Sequence, residues 1–191
     1  MSPRQTDTRQ RMVGAAAAML ARHGLNATSI REMAKRAGAP LGSTYHHFPG
    51  GKQQMLVEAV QFAGAQVDSG LDHHLQNGFQ AGLREFLAMW RKILLQAEFR
   101  VGCPVMAAVV EEPIDDVAEP VLDAAAAVFD SWIARLSQAM QARGRTCEAA
   151  DDFATFAVAG VEGAIVLCRA QRSIEPFDRV ARQLQAMVAS A

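Results

Sequence analysis

The chain has 191 residues, half of them apolar and 6% aromatic, with a net charge of −1. That length supports one large core or two small ones, and abundant Ala with few aromatics favours close-packed helices over a β-sandwich. No run of about 18 uncharged apolar residues is present, so no membrane span or membrane partner is expected; the polar Met1–Asp7 start also argues against a secretory signal and for a cytoplasmic location.

In chain order, Met12, Ala15, Ala16, Met19 and Leu20 recur at helical spacing and predict a first helix from about Thr6 to His23, closed by Gly24. Ser29-x-x-Glu32 reads as a capping box opening a second helix, which buries Ile30, Met33, Ala34 and Ala37 and stops at Gly38. Pro40 is allowed at the start of a third helix but not inside it, and Pro49-Gly50-Gly51 ends that helix after about two turns. Lys52 then begins a long helix carrying Met55, Leu56, Ala59, Val60 and Ala63.

Further helices are predicted over about 79–98, 103–112, 115–143, 148–170 and 176–190, punctuated by Gly78, Gly102, Pro113, Pro120, Gly144 and Pro176. Phe79, Leu83, Phe86, Leu87, Trp90 and Leu94 form one stripe. Val121, Leu122, Ala125, Val128, Phe129, Trp132, Ile133 and Leu136 form another. The expected architecture is all-α: an N-terminal helix-turn-helix domain over 5–65, with its motif at about 28–47, and a helical domain over 66–191.

Charge is distributed unevenly. Residues 1–52 hold Arg4, Arg9, Arg11, Arg22, Arg31, Lys35, Arg36 and Lys52 against Asp7 and Glu32, a net of +6, which leaves −7 for the remainder. A basic head on an acidic body fits a polyanion-binding module joined to one that binds something else. Three well-separated cysteines (Cys103, Cys147 and Cys168) make neither a disulfide framework nor a metal pair. The adjacent pairs His46-His47 and His73-His74 point about 100° apart on a helix, whereas metal pairs favour i, i+4. No cofactor is expected.

Helix, sharp turn and short second helix make the motif that reads the DNA major groove. A two-turn helix is unstable alone and has to be held by its neighbours. Turning Phe48 and Ala39 inward leaves Leu41, Ser43, Tyr45, His46 and His47 for DNA. Gly42 costs helix stability, which close backbone approach to DNA would justify. Tyr45 and the histidines can donate to phosphate oxygens, and Lys52 adds a charge beside free backbone N–H groups.

The segment Gly42, Ser43, Tyr45, His46, His47, Phe48 and Lys52, with Thr28-Ser29-Ile30-Arg31-Glu32-Met33-Ala34 upstream, resembles the N-terminal domain of the TetR family of bacterial transcriptional regulators. The match covers about residues 8–60. By position, the resemblance implies phosphate contacts at Thr28, Tyr45, His47 and Lys52. It implies base or groove contacts at Arg31, Leu41, Gly42, Ser43 and His46. Three residues depart from the pattern. Thr44 stands where the family usually has Leu or Ile, Pro40 replaces the usual Ser, and Leu41 occupies a frequently basic position.

The resemblance also implies a homodimer whose last two helices pair with those of its partner, double-stranded operator DNA, and a small-molecule effector. Phe153, Ala157, Gly160, Ala164 and Leu167, followed by Phe177, Val180, Leu184, Met187 and Val188, are the dimer stripes. Effector-binding candidates are Phe86, Met89, Trp90, Ile93, Phe99, Met106, Val109, Val110, Phe129 and Trp132, whose aromatic and Met surfaces are adaptable. The run Gly102-Cys103-Pro104-Val105 with Glu111, and the break Phe48-Pro49-Gly50-Gly51-Lys52, resemble a subgroup called LmrA/YxaF-like. That subgroup implies an apolar or aromatic ligand of drug-like size.

The leading expectation is a repressor released from a palindromic operator by such a ligand. A transcriptional activator, or a repressor switched by oxidation of Cys103, are the alternatives. No nucleophile triad, phosphate loop or metalloprotease motif suggests an enzyme. Glu111-Glu112 and Asp115-Asp116 read as helix-end caps or solvated acids.

Overall fold

The structure is a computed structural model, and it describes residues 3–76, 78–111 and 118–189; these contain helices, turns and loops but no strand. The helices are α1 (Pro3–His23), α2 (Ile30–Arg36), α3 (Leu41–His47), α4 (Gly51–Leu75), α5 (Phe79–Gln96), α6 (Pro104–Val109), α7 (Ala118–Gln141), α8 (Cys147–Gln171) and α9 (Glu175–Ala189). Every predicted helix is present; ends that fall among the described residues shift by a few residues, while the predicted ends at 112, 115 and 190 lie outside them. Pro120 and Pro176 sit in first turns, where a missing N–H removes no helical bond. Glu112, Pro113, Asp115 and Asp116 lie outside the described residues.

The chain folds as two compact units, each assembled from two stretches. The first joins Met1–Ala65 with Cys103–Val128, and the second joins Gln66–Gly102 with Phe129–Ala191. The expected division is a single one after residue 65; in these units the stretch 103–128 groups with the N-terminal stretch instead of with the rest of the C-terminal part. Periodicity along the chain carries no information about which unit a helix joins.

In the first unit, α1 buries Met12, Ala16, Met19 and Leu20, and α6 packs on it through buried Val105 and Ala108. Ser29 caps α2, its hydroxyl accepting from the Glu32 N–H at 3.3 Å. At the other end of α2 the Ala39 N–H reaches the Ala34 carbonyl at 2.9 Å and the Gly38 N–H reaches Lys35 at 3.2 Å. Gly38, at φ +62°, makes this left-handed helix stop possible. Pro40 precedes α3 in an extended conformation.

The turn after α1 depends on Gly24 twice over. Its φ is +83°, and a Cβ there would lie 1.7 Å from Glu111 Oε1. That carboxylate accepts a hydrogen bond from the Asn26 N–H at 3.0 Å, so the segment following α6 caps the loop that leads into α2.

The second unit is built from the C-terminal half of α4, α5, the C-terminal half of α7, α8 and α9. The predicted α5 stripe (Phe79, Leu83, Phe86, Leu87, Trp90 and Leu94) is buried throughout. Gly82 allows α5 to cross the end of α4, because a Cβ there would meet the His74 carbonyl at 2.5 Å. Arg135 of α7 donates to Asp68 at 2.8 Å and to Asp72 of α4, and Ser131 also donates to Asp68. Arg91 of α5 forms a two-pronged pair with Asp178 of α9, at 2.8 and 3.2 Å.

Candidate DNA-reading surface and effector cavity

α3 presents two distinct faces. Thr44 and the following Phe48 are fully buried, while Leu41, Gly42, Tyr45 and His46 are exposed and Ser43 and His47 are half-buried. Tyr45 is 59% exposed, a large outlay of aromatic surface for a residue with no core role. A Cβ on Gly42 would meet nothing within 4 Å, so internal packing does not require glycine there. Ala39 is half-buried, and Arg31 projects into solvent from α2. Lys52 is half-buried in the first turn of α4.

The short helix is held from beneath. The Arg9 guanidinium lies 5.1 Å from the centre of the Phe48 ring and is paired with Glu58 of α4. Gln54 donates to the same Glu58 carboxylate and accepts from the Gly50 N–H at 2.9 Å. Arg9 thus anchors α1, the end of α3 and the start of α4, so this member of the basic head has an internal role.

Thr28 does not sit as the family pattern suggests. It is 1% exposed, and its hydroxyl donates to the Gly24 carbonyl at 2.7 Å. The residue stabilises the α1–α2 loop and offers no side-chain donor to solvent. Thr44, the departure from Leu or Ile, is fully buried, and its hydroxyl makes no hydrogen bond among the described residues.

A cavity lies inside the second unit. Val67 and Leu71 of α4, Leu83, Phe86 and Trp90 of α5, and Trp132 and Leu136 of α7 form part of its wall. Ala157, Val158, Val161 and Glu162 of α8 and Leu184 of α9 complete it. Its volume is about 30 Å³, close to one water molecule's share of the liquid, whereas drug-sized ligands occupy pockets of roughly 300–1,000 Å³. The walls are therefore nearly in contact.

Of the expected effector residues, Phe86, Trp90 and Trp132 line this cavity. Phe129 is not among its lining residues and packs edge-on to Trp132 with ring centres 5.4 Å apart. Met89 is half-buried near Gly70, Ile93 is exposed, and Phe99 lies beyond α5 at φ +59°. Met106, Val109 and Val110 belong to the first unit, with Val110 61% exposed. Leu136, Val161 and Leu184 have the same spacing as core residues, so nothing in the sequence sets them apart as wall. Glu162 does leave a signal, as the single acid in the apolar run Ala157–Cys168.

The C-terminal stripes also divide differently. Phe153, Ala157 and Ala164 of α8, and Phe177, Leu184 and Val188 of α9, are buried within the chain. A second apolar face of α8 remains exposed, made by Phe156, Ala159, Val166, Leu167 and Ala170, with half-buried Gly163 among them. With 25 residues and two apolar faces, α8 is by length and composition alone long and apolar enough to cross a bilayer. Its first face nevertheless packs as the core helix of the second unit.

Two arginines of the second unit are held by carboxylates. Burial works against the charge on Arg135, but Asp68 and Asp72 outweigh it and raise its pKa. Asp178 likewise raises Arg91, through its hydrogen bonds and then its charge. Of the thiols, Cys103 and Cys168 are buried and Cys147 is exposed. The Cys147 thiol donates to Asp151 at 3.5 Å, and that bond, followed by the carboxylate charge, raises its pKa.

Residues 13–59 match the family model for bacterial regulatory proteins of the tetR family. Residues 80–183 match the model for the LmrA/YxaF-like transcriptional regulator C-terminal domain. An HTH-type transcriptional regulator of Mycobacterium tuberculosis is 39% identical over 180 residues, covering 93% of this chain and 92% of that protein. The HTH-type transcriptional regulator YxaF of Bacillus subtilis is 26% identical over 184 residues, covering 95% of each. A crystal structure of a TetR transcriptional regulator from Legionella pneumophila superposes with a TM-score of 0.82, covering 94% of this chain and 96% of that one; at 18% identity it attests to the fold alone.

Proposed function

The chain belongs to the TetR family of bacterial transcriptional regulators, a non-enzymatic class, with an LmrA/YxaF-like C-terminal domain, and from that premise we propose that it is a homodimeric repressor released from a palindromic operator by a small apolar or aromatic effector. The observation that carries the DNA half of this reading is the split of α3 into a buried Thr44/Phe48 face and an exposed Leu41, Gly42, Tyr45 and His46 face. Leu41, Gly42, Ser43 and His46, with Arg31 from α2, are assigned to base and groove contacts. Tyr45, His47 and Lys52 are assigned to phosphates. An uncharged Leu41 gives up one phosphate attraction and is suited to a thymine methyl.

One short helix reads few base pairs, so two copies are required, placed about 34–36 Å apart on successive major-groove turns. The exposed apolar face of α8, with the adjoining exposed Met187 of α9, supplies the pairing surface. An effector entering the cavity separates its walls. α4 and α7 each belong to both units, and the chain crosses between the units again at Gly102–Cys103; these three connections carry the change to the reading head. A coupling of about 1–3 kcal/mol weakens operator binding roughly 5–150-fold. The site of action is the bacterial cytoplasm.

Selection of bound duplexes from a random DNA pool tests the reading. A palindrome with half-sites one turn apart is expected, and Tyr45→Phe should weaken binding to it by about threefold to tenfold without changing the selected sequence, as loss of one phosphate contact does. Weak, salt-sensitive binding without sequence preference overturns it.

A further inference from the structure

We infer that the cavity of the second unit selects an organic cation, an aromatic or alkyl body carrying one protonated amine held by Glu162. The inference rests on the effector reading above and adds to it the charge of the ligand.

Among the described residues, the wall of the cavity is apolar except for Glu162, which is only 6% exposed, and none of the lining residues is Lys, Arg or His. A carboxylate offers about four lone-pair sites, so Glu162 can take a donor from a ligand in addition to its contacts within the chain. A neutral hydrocarbon entering the cavity offers the Glu162 carboxyl group no hydrogen bond. An ammonium group returns a short, charge-assisted hydrogen bond. The faces of Trp90 and Trp132 provide the remaining attraction, because indole is the best aromatic partner for a cation. The small present volume favours a slim, flexible body over a rigid polycycle, since less wall has to be displaced.

Both tryptophans of the chain are Trp90 and Trp132, and both line the cavity. Intrinsic fluorescence of the protein therefore reports occupancy directly. The probes are 4-phenylbutylamine and 4-phenylbutan-1-ol, equal in ring and tail and different in charge at pH 7. The amine is expected to bind about tenfold to a hundredfold more tightly. Glu162→Gln should abolish that preference, which separates Glu162 from the general attraction of an acidic surface. Equal affinities in the wild-type protein overturn the cation assignment while the apolar effector cavity stands, and this comparison needs no variant to fold. A preference that survives Glu162→Gln also overturns it. Failure of both probes to alter the fluorescence overturns the effector cavity itself, and the cation assignment with it.

Discussion

Thr44 carries a buried hydroxyl with no hydrogen bond among the described residues, at the point where α3 is pressed into the head. Leaving a polar group dry costs stability, and a shape-matched apolar replacement removes that cost. Thr44→Val is therefore expected to raise unfolding free energy by about 1 kcal/mol, seen as a higher urea midpoint with an unchanged slope. Cys147 makes the opposite point about exposure. Although accessible, its thiol is kept protonated by Asp151, so alkylation at pH 8 should run slower than for a free cysteine. Asp151→Asn should accelerate it, as followed by mass spectrometry of the alkylated protein. Cys103, the thiol of the redox-switch alternative, is buried, whereas Cys147 is exposed.

At the scale of elements, α8 has more apolar surface than its own unit covers. Phe156, 51% exposed, stands on the uncovered face, and a Cβ on Gly163 would meet nothing within 4 Å. Phe156→Asp is expected to shift the protein to a monomer in sedimentation velocity while its helical circular dichroism persists. The helices themselves were legible in the sequence, because Gly24, Gly38 and the Ser29 cap are local signals acting within a few residues. The division of α8 into an inner and an outer face was not. Ala157 and Phe156 adjoin in a run where almost every residue is apolar, so periodicity cannot say which of them meets the chain's own core. The same limit separates Trp132, which lines the cavity, from Phe129, which does not. The reading helix was more legible, because its exposed residues break the apolar pattern.

For the whole molecule, the first unit is completed only when Cys103–Val128 returns to it. α6 covers α1, and Glu111 caps the loop before α2. A chain ending at residue 65 should accordingly lose its cooperative thermal transition by circular dichroism, even though it contains the entire helix-turn-helix. During synthesis, then, the reading head stays unfinished until well over half the protein has emerged from the ribosome. The same interleaving bears on ancestry. An N-terminal segment exchanged between relatives arrives without the α6 and α7 surfaces it was shaped against. Recombination that gives a new DNA specificity to an old sensor has to preserve or repair that seam, so specificity in this lineage is expected to drift by substitution on α3 more readily than by swapping heads.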